Sequence, residues 1–232
     1  MNILNHFKLP YCENNTTVIA STAGGGKTSV LESLILEHMQ KGFNCLYVGE
    51  VSSSYFFNRI KRKMKQLERL GAYKKNGNNG SLFYLSNDNF RLIEKHVNHN
   101  KIKSIFFDDY VGYQQKILKH SKRLLTEKTI ERKFSVTNRD TIMENMGSIR
   151  DISNICDVSC YISTSLQKNS NSDLGTKTFR PIGGATIYNT LIWSDVYMTV
   201  NKTTNVDNEF NAKISLIKNR YGRDNISLQT QL

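Results

Sequence analysis

The 232 residues, 38% of them apolar, suffice for one sizeable core and fall short of two full domains. Lys and Arg number 32 against 20 Asp and Glu, and the net charge of +12 favours polyanionic partners such as nucleic acid or nucleotides without saying anything about fold. The chain lacks an apolar run of about eighteen residues, and its first ten residues lack a basic stretch leading into an apolar one, so neither a membrane span nor a secretory leader is expected and the expected compartment is cytoplasmic.

The four cysteines, Cys12, Cys45, Cys156 and Cys160, contain no CxxC pair of the kind that a zinc ribbon or redox motif uses. Cys156 and Cys160 are four apart and would share a helix face. With no His or second Cys pair nearby they read as small buried apolar groups.

In chain order, residues 16–21 form a β-rich run that ends in a small-residue turn at 22–26. Val30, Leu31, Leu34, Ile35 and His38 then recur at helical spacing up to Lys41-Gly42. Residues 43–49 read as a second buried strand. A strongly basic helix is expected over 55–70, where Arg59, Lys61, Arg62, Lys63, Lys65 and Arg69 are relieved only by Glu68. A loop at 74–80 is followed by a strand at 81–85, a helix near 88–99 and a third apolar strand at 102–107 that runs into Asp108-Asp109. Residues 110–146 are polar and basic, read as helix plus loop. A helix at 148–156, a strand at 158–163 and a polar loop at 168–180 come next, then strands at 191–200, 212–218 and 225–231. Helices crossing between buried strands imply a parallel sheet, and the helix-free end implies its antiparallel extension. The short N-terminal arm is taken as 1–15 and a single domain as 16–232.

The turn after the first strand reads Ser21-Thr22-Ala23-Gly24-Gly25-Gly26-Lys27-Thr28, followed by Ser29. A phosphate loop needs glycines that let backbone N–H groups converge, a Lys for the β and γ oxygens, a hydroxyl for Mg²⁺ and a helix N-terminus facing the anion. All four are present, with Ser21 where the GxxxxGK[ST] pattern has its first glycine. Residues 21–29 are therefore the candidate nucleotide contacts and Thr28 a candidate Mg²⁺ ligand. Asp108 and Asp109 both qualify as the strand-end carboxylate that supports the metal. Glu50 ends the second strand, where an open α/β sheet presents groups to its ligand crevice, and a carboxylate there can polarise the attacking water.

These segments together resemble the DnaB-like replicative helicases, the phage versions especially, within the RecA-like ATPases. Residues 16–50 are similar to that family's phosphate loop, helix and second strand, and the resemblance assigns the catalytic glutamate to Glu50. Phe106-Phe107-Asp108-Asp109-Tyr110 is similar to a strand ending in Asp-Tyr-Leu, which maps the metal aspartate onto Asp109. Ser163-Thr164-Ser165-Leu166-Gln167 resembles the segment carrying the γ-phosphate sensor, implied to be Gln167 with Ser165 as the alternative. Residues 183–187 with Trp193-Ser194-Asp195-Val196 resemble the family's Gly-Ser-x-x-Ile and Ala-Asp segments. Lys218-Asn219-Arg220-Tyr221-Gly222 is similar to its Lys-x-Arg-x-Gly hairpin, whose Lys and Arg act on the neighbouring subunit's nucleotide.

The resemblance implies an α/β RecA-like P-loop NTPase core, a mostly parallel central sheet flanked by helices with antiparallel C-terminal strands. It implies an ATPase and DNA helicase using ATP and Mg²⁺, with Lys27, Glu50, Gln167, Lys218 and Arg220 as its catalytic set. It also implies a homo-oligomeric ring, a hexamer being the candidate size, with single-stranded DNA held by the loop after Gln167. Lys168, Lys177 and Arg180 are the candidate phosphate contacts there. A phage origin would place the chain in the bacterial host cytoplasm. The family's N-terminal domain has no counterpart before the first strand, so ring loading as the family does it is not expected. Two rival readings are a RecA-like ATPase or DNA-binding accessory protein without unwinding activity and, ranked lower for want of a zinc ribbon, a nucleoside kinase.

Overall fold

The computed structural model describes residues 2–11, 14–49, 51–75, 77–86, 90–108, 138–168, 179–181, 191–204 and 210–231. In chain order these form α1 (Ile3–Phe7), β1 (Thr16–Thr22), α2 (Lys27–Gln40), β2 (Asn44–Val48), α3 (Ser53–Arg69), β3 (Leu82–Leu85), α4 (Phe90–Asn100) and β4 (Ile102–Phe107). There follow α5 (Asn138–Cys156), β5 (Ser159–Lys168), β6 (Phe179–Pro181), β7 (Val196–Thr204), β8 (Phe210–Asn219) and β9 (Ile226–Gln231). One sheet runs β3-β2-β4-β5-β1-β7-β8-β9, with β6 paired to the end of β5. The strands from β3 to β7 are mutually parallel, whereas β8 and β9 extend the sheet antiparallel. This is the mostly parallel sheet with an antiparallel end that the strand and helix order implies.

Strand alternation sorts the core into two layers. Ile19, Tyr47, Phe106 and Tyr161 point to one face, where α1, α2 and α3 supply Leu4, Leu31, Leu34 and Phe56. Val18, Ala20, Ile105, Phe107 and Ile162 point to the other, covered by Ile93 and Val97 of α4 and Ile149 of α5. Burial of each Val, Leu, Ile or Phe among them contributes about 1.5–3 kcal/mol. Among the described residues no helix is long and apolar enough to cross a membrane.

Several boundaries differ from the sequence reading. Within the expected arm, residues 3–7 fold as α1 with Ile3, Leu4 and Phe7 buried, and its first N–H groups donate to the Glu37 carboxylate of α2, Ile3 N to Oε1 at 2.6 Å and Leu4 N to Oε2 at 3.2 Å. Helix α5 begins ten residues earlier than expected. Strand β5 continues to Lys168 and pairs antiparallel with β6, so Lys168 and Arg180 are strand residues rather than loop residues. Residues 191–193 are helical, and β7 starts only at Val196. Cys156 closes α5 while Cys160 lies inside β5, so the two do not share a helix face.

The α2 face carries a buried polar cluster. His38 is fully buried, with Nδ1 2.8 Å from the Ser104 hydroxyl and Nε2 3.0 Å from the Tyr161 hydroxyl, and burial pulls its pKa down from 6.5 to about 3. Burial pushes the neighbouring Glu37 the other way, from 4.5 up to about 7. Between pH 6.5 and 3 the unfolded chain binds a proton at His38 that the fold does not, so His38 makes stability fall on acidification below 6.5. Between pH 7 and 4.5 the fold holds the Glu37 proton more tightly than the unfolded chain, which adds stability on acidification. Melting curves should therefore show that His38→Gln flattens the loss of thermal midpoint below pH 6.5. Glu37→Gln should steepen that loss by several degrees. Parallel curves for both variants would contradict the assignment.

Candidate functional site

The β-branched run of β1 ends at the small residues 21–26, and α2 begins at Lys27. Gly26 takes φ 98°, a left-handed value that side chains resist, and as N-cap of α2 it has no side chain to satisfy the first-turn N–H groups. The first turn of α2 also carries no acidic residue. First-turn N–H groups without a side-chain cap and a positive helix end thus lie beside Lys27, as a bound phosphate requires.

Between β1 and β4 lies β5, and the registers bring Asp108, Ser163 and Thr28 together across three neighbouring strands. Asp108, just past β4, has Oδ1 accepting from the Ser163 hydroxyl at 2.7 Å and from the Thr28 hydroxyl at 3.2 Å. Its Oδ2 accepts from the Tyr47 hydroxyl at 2.9 Å. Three of about four acceptor positions of the carboxylate are thereby used, and the donors that orient it come from two strands, β2 and β5, and one helix, α2. Tyr47 is fixed in turn by stacking on Phe56, with centroids 3.8 Å apart, and on Tyr84. Burial and the adjacent Asp108 carboxylate raise the Tyr47 pKa, which keeps the phenol protonated as a donor. At Gly49 a Cβ would lie 2.7 Å from the Tyr47 ring, so a side chain there would displace it.

Helix α3 braces the same region. Arg59 Nε lies 2.9 Å from Glu32 Oε1, and Lys63 Nζ donates to the Ser29 carbonyl at 2.5 Å, both partners belonging to α2. Burial raises the Glu32 pKa against the opposing pull of Arg59 and Lys63.

Of the residues expected to act, the structure brings Lys27, Thr28 and the 21–29 loop together with Asp108. Asp109 and Glu50 lie outside the described residues. The carbonyls flanking Glu50, those of Gly49 and Val51, both accept from the Tyr84 hydroxyl. Leu166 is paired with Thr22, which sets the Gln167 backbone level with the start of the phosphate loop, though its side chain is not among those described; Ser165 pairs with Ser21. Lys177 lies outside the described residues. The sequence reading missed Tyr47 and Ser163. The signals were a Tyr two residues before a strand-end glycine and a hydroxyl residue on the strand beside the aspartate strand.

Lys218 and Arg220 sit elsewhere. Lys218 Nζ donates to the carbonyls of Leu191 (2.8 Å), Ile192 (3.4 Å) and Ser194 (2.5 Å). Arg220 NH1 lies 2.7 Å from Oδ1 of the buried Asp195, which Arg150 also approaches at 3.4 Å, while Asp195 Oδ2 accepts from the Thr16 N–H at 2.9 Å. Arg150, Ile192, Ser194, Asp195, Lys218 and Arg220 line a cavity of about 460 Å³. It lies at the Thr16 end of β1, whereas the phosphate loop follows Thr22. Six residues at about 3.3 Å each put the two ends about 20 Å apart, beyond the reach of an arginine.

No family profile and no curated protein matches the sequence. Among solved structures, a KaiC-like protein from the hyperthermophilic archaeon Pyrococcus horikoshii OT3 is similar, with a TM-score of 0.54 and 15% identity over 94% of this chain and 84% of that one. The chain thus has a RecA-like P-loop fold, with the phosphate loop and a strand-end aspartate converging across β5.

Proposed function

We propose that the chain is an ATP-hydrolysing RecA-like motor of the DnaB-like helicase kind, working between subunits of a ring or filament on single-stranded DNA. The observation that carries this reading is the Thr28 hydroxyl set 3.2 Å from Asp108 beneath an uncapped phosphate loop. A hydroxyl and a carboxylate suit a magnesium ion's preference for hard oxygen ligands, and Thr28 and Asp108 are the residues that would hold it. When bound there, such an ion would supply positive charge to offset that of the triphosphate. The backbone N–H groups of 24 and 26–28 and the Lys27 ammonium bind and orient the triphosphate, and Tyr47 and Ser163 hold Asp108 in place. Glu50 orients and deprotonates the attacking water, and Gln167 reports on the γ-phosphate.

The length of β1, about 20 Å, between the Arg220 end and the chain's own phosphate loop favours action of Lys218 and Arg220 on a neighbour's nucleotide through a head-to-tail interface. Lys168, Lys177 and Arg180 would face the DNA strand. Phosphate release with and without single-stranded DNA, combined with sedimentation, tests this reading. The helicase-type motor should assemble with nucleotide and hydrolyse faster, by about tenfold or more, when DNA is added. A nucleotide-bound monomer whose rate ignores DNA would exclude it, and DNA-independent hydrolysis by an assembled form would favour a RecA-like ATPase with another task.

A further inference from the structure

The basic helix α3 divides its cations. Arg59 and Lys63 turn inward onto α2, and Phe56 and Ile60 are buried with Met64 and Leu67 packed beside them. Lys61, Arg62, Lys65 and Arg69 are exposed, and among the described residues no acidic side chain forms an ion pair with any of them. Arg62, Lys65 and Arg69 follow i, i+3, i+7 spacing, and Lys61, Lys65 and Arg69 follow i, i+4, i+8. All four therefore fall within one stripe spanning about 100° of the helix circumference, with the Cβ atoms of the i, i+3 and i, i+4 pairs about 5–6 Å apart. Glu68 is the helix's one acid. Lys74 and Lys75, also exposed, continue the positive surface beyond the helix end.

We infer that this stripe is a second nucleic-acid surface, gripping the phosphodiester backbone on the outside of the fold. A regular line of cations matches a regular line of phosphates, and the +12 charge of the chain adds long-range attraction. Helix α3 packs through Phe56 on Tyr47 of β2 and Tyr84 of β3, strands that lie two places and more in the sheet from the paired β5 and β6 that carry Lys168 and Arg180. An anionic membrane fits less well, because the apolar face that would enter a bilayer is already packed on the core, and the large apolar side chains exposed on the helix, Tyr55 and Leu70, stand singly at its two ends. The inference does not rest on ATP hydrolysis and is tested without nucleotide.

The probes are a labelled single strand of about 30 nucleotides, the matching duplex, and vesicles containing phosphatidylserine. The variant Lys61→Ala, Arg62→Ala, Lys65→Ala, Arg69→Ala should melt like the wild type, since all four side chains are exposed. It should bind nucleic acid at least about tenfold more weakly near 0.1 M salt, and its log–log salt slope should fall by about 3 for the single strand or somewhat more for the duplex. The charge-keeping variant Lys61→Arg, Lys65→Arg should bind as the wild type does. Unchanged affinity and slope in the alanine variant would overturn the inference. So would loss of binding in the charge-keeping variant, or a loss confined to the vesicles.

Discussion

Asp108→Asn should lower Mg²⁺-dependent ATP hydrolysis by about 100-fold or more while the protein still folds. The carboxylate is the shared acceptor of the Thr28, Ser163 and Tyr47 hydroxyls, and the amide removes its charge and turns one acceptor position into a donor facing those hydroxyls. Hydroxyl hydrogens rotate, so Ser163 and Tyr47 can accept from the new amide and the fold need not give way. What is lost is the negative charge opposite Thr28. The same substitution at the adjacent Asp109, the position to which the Asp-Tyr-Leu resemblance points, should reduce the rate far less. Phosphate-release rates for the two variants at saturating ATP decide between them, and a larger loss at Asp109 would move the metal role there.

Arg220→Ala should keep ATP binding and lose hydrolysis by about 1000-fold, the scale on which an arginine finger acts. Its side chain is 63% exposed, and after its removal Asp195 keeps the Thr16 N–H and the Arg150 guanidinium, so little stability should go with it. Because Arg220 lies at the far end of β1 from its own phosphate loop, the loss should be complementable. In an equal mixture with Lys27→Ala, about a quarter of head-to-tail interfaces would pair an intact Lys27 with an intact Arg220. The mixture should recover a rate on that scale although each variant alone is inactive. Wild-type hydrolysis by Arg220→Ala, or no recovery in mixtures shown to co-assemble, would leave Arg220 as the structural partner of Asp195 alone.

Much of the scaffold could be read from residue pattern. The Thr16–Thr22 run, the recurrence of Val30, Leu31, Leu34 and Ile35, and the glycine turn between them carry the β-loop-helix unit without reference to distant residues. Features that depend on distant partners were less accessible. Helix α1 is five residues long, too short for periodicity, and is held by Glu37 from another helix. Asp108 and Asp109 are equivalent by position at a strand end. That Asp108 meets Thr28 follows from the placement of β5 between β4 and β1, which chain order does not reveal. Tyr47 looked like a core residue and is one, yet its stacking on Phe56 also aims its hydroxyl at the site. The basic helix was visible as charge alone, and only packing separated the cations bracing α2 from those facing solvent.

A working phosphate loop at residues 21–29 is tested most simply by the inorganic phosphate that purified protein releases from ATP, wild type beside Lys27→Ala. A working loop gives release that requires Mg²⁺, is abolished by chelation, and falls to background in Lys27→Ala while the variant melts at the wild-type temperature. Release that is equal in the two proteins, or absent from the folded wild type with Mg²⁺ and single-stranded DNA present, would contradict it.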